Sequence, residues 1–315
     1  MKRLLPNSLR NRLREVRRFG PIPWLRRQWG KRLTLPRINT LPPISVERTA
    51  DLSVRMLTNA SRIYESAWAA YSFLFFSNIE CRVVFHSDGS LTHTHRAFLE
   101  RMFPGCDVID VAQADAIVSA IFDKRHLHRC QRLRNSLVFA KKLFDVCLLE
   151  ENSRIILLDN DVLFYRKPDD LLAASLEDIH VYQKDFQRNY CLSEEALQAV
   201  RGANLPAQLN PGIMSINLPK IDFSVAEKAL QQDGFFDQSG RADYFSELTL
   251  WAILISQSAN RPLPECYWFN VGPWHGDQIV AGHFCGGSWW TATYYYQGLP
   301  EVWQRITGSK RSLTK

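Results

Sequence analysis

No run of 18 or more consecutive apolar residues occurs in the chain, so nothing in it reads as a membrane span. The N-terminus lacks the apolar h-region of a secretory leader, which gives the expectation of a protein kept in the cytoplasm. No two cysteines are spaced CxxC. Cys81, Cys106, Cys130, Cys147, Cys191, Cys266 and Cys285 are scattered and odd in number, which argues for reduced thiols and against a zinc knuckle or disulfide framework. Internal repeats and low-complexity tracts are absent as well. What is present is material for a full-sized core: 315 residues, 46% hydrophobic and 23% charged, a balance that excludes a disordered chain.

The formal charge of +7 is unevenly spread. Residues 1–40 hold twelve Lys and Arg and one acid, Glu15, whereas the other 275 residues hold 27 bases and 31 acids. Leu9, Leu13, Val16 and Phe19 fall at helical spacing, with Arg10, Arg12, Arg14, Arg17 and Arg18 filling much of the remaining wheel. Asn7 or Ser8 is placed to cap this helix and Gly20-Pro21 to end it, with Trp24 and Trp29 behind. A basic amphipathic arm of this kind suits an anionic membrane surface, where each base adds roughly 1 kcal/mol. Residues 7–32 are therefore read as meeting that surface, the protein lying peripherally on the inner face of the cell membrane. A solvated extension is the alternative, as is a phosphate-attracted arm; no base-reading module is recognisable, so nucleic acid is not expected as a partner. Pro36, Pro42 and Pro43 mark a linker, which gives an arm and linker over 1–50 and one folded domain over 51–315.

In that domain short β-rich runs alternate with helical stretches. SVRMLTNA from Ser53, CRVVFHSDG from Cys81, DVIDV from Asp107 and RIILLD from Arg154 read as strands. Helices are expected over 63–76, 92–102 and, as one long element with Leu133, Leu137, Lys141, Phe144 and Leu148 on a face, over the stretch that leads into RIILLD. VYQKD and GIMSINL read as later strands, 225–232 and 246–257 as helices, and QIVAGHFCGG as a final strand. The alternation predicts an α/β fold with a mostly parallel, Rossmann-like sheet flanked by helices, whose ligands bind at the carboxyl ends of the strands.

The most informative stretch is Ile155-Ile156-Leu157-Leu158-Asp159-Asn160-Asp161-Val162-Leu163-Phe164. Apolar neighbours on both sides imply a buried strand with two acids where it emerges. Burying an unpaired carboxylate costs several kcal/mol, so two of them one residue apart call for a cation. On a strand, period two turns both the same way, toward one hard ion such as Mg2+ or Mn2+ that would hold a diphosphate. The other reading of these acids is a turn cap or pairing with Arg166 and Lys167. The close pairs His93/His95 and His126/His128 do not suggest zinc, since residues two apart on a helix point apart.

LLDNDVLF resembles the DxD segment of GT-A-fold glycosyltransferases, and three later segments agree in order and character. Asn210-Pro211-Gly212 with the strand behind it is similar to the Asn-x-Gly strand of family 8, the group of glycogenin and the bacterial lipopolysaccharide hexosyltransferases. Phe245-Ser246-Glu247-Leu248 resembles the acid-bearing helix start of that family, with Leu248 where Gln is common, and His283-Phe284-Cys285-Gly286 resembles its C-terminal HFxG.

The resemblance implies a metal-dependent enzyme that moves a sugar from a nucleoside-diphosphate donor, a UDP-sugar first of all, to a glycan or lipid-linked acceptor in polysaccharide or glycoconjugate synthesis. It implies Asp159, Asp161 and His283 as ligands of Mn2+ or Mg2+. Thr58, Asn59 and Asp88 at strand ends become candidates for nucleoside contact, and Arg134 and Lys142 for steadying the donor, with plain solvated charge and, for Asp88, a turn as the alternatives. Asn160 and Gly286 join the donor set, and Asn210 and Gly212 would line the donor sugar. Glu247, with Asp243 nearby, is the candidate acid beside the acceptor: a general base if the reaction inverts, a hydroxyl-positioning group if it retains. Trp274, Trp289, Trp290 and Tyr294-Tyr295-Tyr296 are candidate sugar-stacking rings, or core. Two rival readings are a haloacid-dehalogenase-like phosphatase, which also uses a DxD, and a sugar-binding protein without turnover.

Overall fold

The computed structural model describes residues 16–17, 20–150, 153–269, 277–285 and 292–313. Ten strands are described: β1 (Leu52–Thr58), β2 (Arg82–Ser87), β3 (Asp107–Ile109), β4 (Arg154–Leu158), β5 (Val162–Phe164), β6 (His180–Lys184), β7 (Leu209–Asn217), β8 (Asn260–Pro262), β9 (Tyr267–Phe269) and β10 (Ala281–His283). Seven form one sheet in the order β3-β2-β1-β4-β7-β6-β8, parallel except that β7 runs against β4 and β6. β5, β10 and β9 make a second, three-stranded sheet.

The period of two along β4 builds a core on each face of the large sheet. Ile156 and Leu158 join Val54, Met56 and Phe85 under the helix Ile63–Ser77, which is apolar almost all round and buried accordingly. Ile155 and Leu157 join Leu143, Phe144, Met214 and Trp251 on the other face. Arg55, fully buried on β1, reaches Glu150 at 2.6 Å and donates to the carbonyls of Val146 and Leu149, so one guanidinium ties β1 to the end of the helix Ala140–Leu148.

Four expectations are corrected. The long helix before β4 is two, His128–Ser136 and Ala140–Leu148, because Leu137 leaves the helix at φ −132°, ψ 113°; a helix Val111–Arg125 precedes them. The stretch around Pro36 is not a loose linker: Leu35, Ile38 and Leu41 lie in the core, and Trp68 donates its indole N–H to the Leu35 carbonyl at 2.9 Å. The final strand keeps only Ala281–His283. Pro211 lies inside β7, where β6 shifts register between Tyr182 and Gln183, pairing Tyr182 with Met214 but Gln183 with Asn210. That irregularity passes over the proline, whose missing N–H a regular ladder would need. Leu9 and Leu13, like the other residues of 1–15, lie outside the described residues, as does Phe19. No described helix is long and apolar enough to cross a membrane.

Arg55→Met leaves the fully buried Glu150 short of its main counter-charge, and unfolding by urea should show a loss of about 3–5 kcal/mol.

Candidate active site

Asp159 and Asp161 do not continue the strand. β4 ends at Leu158 and β5 begins at Val162, and the residues between form a tight turn in which the Val162 N–H donates to the Asp159 carbonyl at 3.3 Å. Each acid is then fixed by a neighbouring strand. The Asp159 N–H donates to the Gly212 carbonyl on β7 at 2.8 Å, and the Phe284 N–H to the Asp161 carbonyl at 3.0 Å. Because β10 pairs antiparallel with β5, placing His283 opposite Val162, the histidine arrives beside the turn from more than 100 residues away in sequence.

His283 Nε2 lies 3.1 Å from Asp161 Oδ1 and 3.7 Å from Asp159 Oδ2, and the imidazole is 1% exposed. One ligand atom from each of the three residues falls within 4.8 Å of the others, the one such group of three or more acids, histidines or cysteines among the described residues. The orientation of the ring is over-determined. Gln183 donates its amide N–H groups to the carbonyls of Tyr267 and Trp268 at 3.3 and 3.2 Å, which turns its oxygen toward His283 Nδ1 at 2.8 Å. Nδ1 must therefore carry the hydrogen, so that in the neutral ring Nε2 presents its lone pair to the carboxylates. Nε2 is buried and forms no hydrogen bond of its own. A lone pair aimed at two acids is a repulsive arrangement unless a cation stands between them, so this donor set fits a divalent metal ion. Gly212 makes room for the ring: a Cβ there would lie 2.1 Å from His283 Cε1. Phe269 closes the ring's far side edge-on at 5.3 Å.

Positive charge reaches the acids from a direction the local sequence did not suggest. Arg166 and Lys167 turn away, to the carbonyls of Gln278 and Ile279 and to Asp169. Lys142, 5% exposed, donates instead to Asp159 Oδ1 at 2.8 Å and stands 3.6 Å from Glu247. Burial would lower the lysine's pKa, but Asp159 and Glu247 outweigh it and push it up. Burial raises the Glu247 carboxyl to about 7, against the pull of Lys142 and with the help of Asp159, and Trp251 donates its indole N–H to the same acid at 2.8 Å. Burial also pushes Asp161 upward, while His283 in its protonated form and then Arg62 hold it below its ordinary value. Arg62, which follows β1, has a buried Nη1 with no hydrogen-bond partner.

The remaining candidates divide. Asn210 accepts the Gly212 N–H at 2.9 Å and donates to Asp185 at 3.2 Å, so it and the buried Asp185 flank the histidine's cradle. Asn160 occupies the turn between the acids. Asn59 and Asp88 end their strands, where Asn59 accepts from Ser61 and Asp88 closes the turn to Ser90. Thr58 is corrected: its hydroxyl is buried and donates to Ser66. Arg134 is corrected as well, since it is buried in ion pairs with Asp145 and Asp115, joining three helices rather than facing the acids. Asp243 is exposed and accepts the Phe245 N–H at 2.7 Å. Tyr294 and Tyr295 are core rather than sugar-stacking surface. Gly286, Trp274, Trp289 and Trp290 lie outside the described residues. The sequence reading missed Gln183, Arg62 and Asp185; only Asp185 carried a signal, as the acid at the carboxyl end of a strand.

No protein-family model and no curated protein matches the chain. Solved structures do. The galactosyltransferase LgtC in complex with donor and acceptor sugar analogues superposes with a TM-score of 0.52 at 14% identity, over 81% of this chain and 95% of that one. An active-site mutant of LgtC gives 0.53 at 16% identity, over 82% and 95%. The apo bifunctional glycosyltransferase WbbM gives 0.50 at 10% identity, over 83% of this chain and 53% of its own. The likeness establishes the expected GT-A fold.

Two outcomes test the geometry. Gln183→Leu frees the His283 tautomer and should weaken Mn2+ binding about 10–100-fold by calorimetry while the circular dichroism spectrum stays unchanged. Glu247 binds its proton more tightly folded than at the ordinary value of 4.5, so the native state loses stability as pH rises from there to about 7. Glu247→Gln should flatten that slope, worth up to about 3 kcal/mol, in melting curves across the same range.

Proposed function

We propose that this protein is a glycosyltransferase that moves a sugar from a nucleoside-diphosphate donor, a UDP-sugar in our reading, to a hydroxyl of a glycan or lipid-linked acceptor in polysaccharide or glycoconjugate synthesis. The observation that carries this is the buried His283 Nε2, its lone pair directed at Asp159 and Asp161 at the carboxyl end of β4, beside the parallel strands of a GT-A sheet. Asp159, Asp161 and His283 would hold Mn2+ or Mg2+, and the mixed oxygen and imidazole set suits Mn2+. When bound, the ion supplies charge to neutralise the leaving diphosphate.

The chain's own residues supply the rest. Lys142 adds positive charge at Asp159 and Arg62 at Asp161, where developing negative charge is stabilised without reorganisation. Glu247, 5% exposed behind Lys142, holds that ammonium against Asp159. Asn210 offers an amide beside the cradle that Gly212 keeps open, placing it to meet donor-sugar hydroxyls. Asn59 and Asp88, at the ends of β1 and β2, are assigned to the nucleoside. Phe139, Tyr244 and Phe245 form an exposed aromatic cluster near these groups, the place we assign to the acceptor. The basic segment 7–32 is assigned to an anionic membrane surface, where lipid-linked acceptors reside.

Purified protein incubated with UDP-, GDP- and dTDP-sugars and Mn2+ should hydrolyse one donor slowly. UDP with Mn2+ should raise the melting temperature by a few degrees, roughly the effect of 2–3 kcal/mol of linked binding energy. Asp161→Ala should remove both effects. Turnover of p-nitrophenyl phosphate with no response to nucleotide would replace this reading by a phosphatase.

A further inference from the structure

The helix Pro21–Trp29, with Pro21 at its first position, runs on without a break through Gly30–Thr34. Its inner side is bolted to the body. Gly30 is buried so close to Tyr295 that a Cβ would lie 2.4 Å from the tyrosine's own, and Lys31 and Arg26 reach over the rings of Tyr295 and Tyr296. Thr34 and Leu35 are buried beneath.

The outer side is apolar. Ile22, Leu25, Trp29 and Leu33 are 61%, 43%, 62% and 65% exposed. Their spacings of three, four and four residues put them on one side of the helix, within roughly 80° of arc. A stripe like this normally faces a core, but here the core-facing side is the opposite one. No acid occurs from Val16 to Val46, while seven bases do: Arg17, Arg18, Arg26, Arg27, Lys31, Arg32 and Arg37. An apolar stripe of four large side chains edged only by cations is complementary to one kind of surface, in which hydrocarbon lies just beneath anionic headgroups.

We propose that Ile22, Leu25, Trp29 and Leu33 form a rigid foot that seats this protein on an anionic phospholipid surface. The inference rests on the reading of residues 7–32 as membrane-facing and names the side chains that enter the lipid; it does not depend on sugar transfer. Unlike a tethered arm, the foot is part of the folded body, so it fixes which side of the molecule lies against the bilayer.

The test uses the full-length chain and phosphatidylcholine vesicles with and without phosphatidylserine, read by co-sedimentation. The changes Leu25→Gln, Trp29→Gln and Leu33→Gln together touch only exposed side chains and should leave the melting temperature intact. They should weaken binding to the anionic vesicles at least about tenfold. Arg26→Gln with Arg32→Gln should weaken the same binding and reduce its salt sensitivity. If the triple variant binds like the parent while Leu9→Gln with Leu13→Gln abolishes binding, the arm reading stands and the foot is overturned. If the parent itself ignores anionic vesicles, both fall. If the triple change instead dissolves a dimer seen by light scattering, the stripe belongs to a second copy of the chain and the foot is overturned.

Discussion

A neutral imidazole that directs its lone pair at two carboxylates holds together only around a positive charge, and the structure spends several independent contacts on keeping it so directed. Gln183 fixes the tautomer, carbonyls of β9 fix Gln183, Gly212 leaves the space the ring fills, and Phe269 shuts its far side. None of these contacts pulls the ring away from the acids. The buried His86 and His180 also leave one ring nitrogen without a hydrogen bond; what sets His283 apart is that its free nitrogen faces two carboxylates, at 3.1 and 3.7 Å.

The charges behind the acids follow the same logic. Lys142 is shared between Asp159 and Glu247, and burial works against the ionised form of both Lys142 and Glu247. Lysine prevails because two acids face it; Glu247 is the member that burial drives toward neutrality. The result is a row of groups whose ionisation is coupled, so that whatever changes the charge at Asp159 is felt at Glu247 about two side chains away.

Much of this was legible in the order of residues, and the remainder has identifiable physical causes. The strand Ile155–Leu158 announces itself by an unbroken apolar run, and the acids after it by the cost of burying them. The Asn-x-Gly and His-Phe-Cys segments resemble family motifs closely enough to place Gly212 and His283, which the structure brings into contact. Period two failed at Asp159 and Asp161 because a turn interrupts the strand between them, so what brings them together is chain reversal and not strand pleat. Arg134 and Lys142, alike as basic residues on the helical approach to β4, parted by tertiary context alone: one meets Asp145 and the other Asp159. Gln183 could not be singled out, since its role comes from a shift of register that also accommodates Pro211, and register is a property of two strands. The helix at Pro21 was hidden by reading Gly20-Pro21 only as an ending, when proline equally begins helices.

The small sheet of β5, β10 and β9 is what completes the group of three. Asp159 and Asp161 sit together in the turn between β4 and β5, a local feature of the chain, whereas His283 comes from a strand more than 100 residues later, laid antiparallel beside β5. Two members of the group are neighbours by sequence and the third only by sheet pairing, so anything that loosens β10 from β5 dismantles the cluster while the turn that carries both acids keeps its own hydrogen bond.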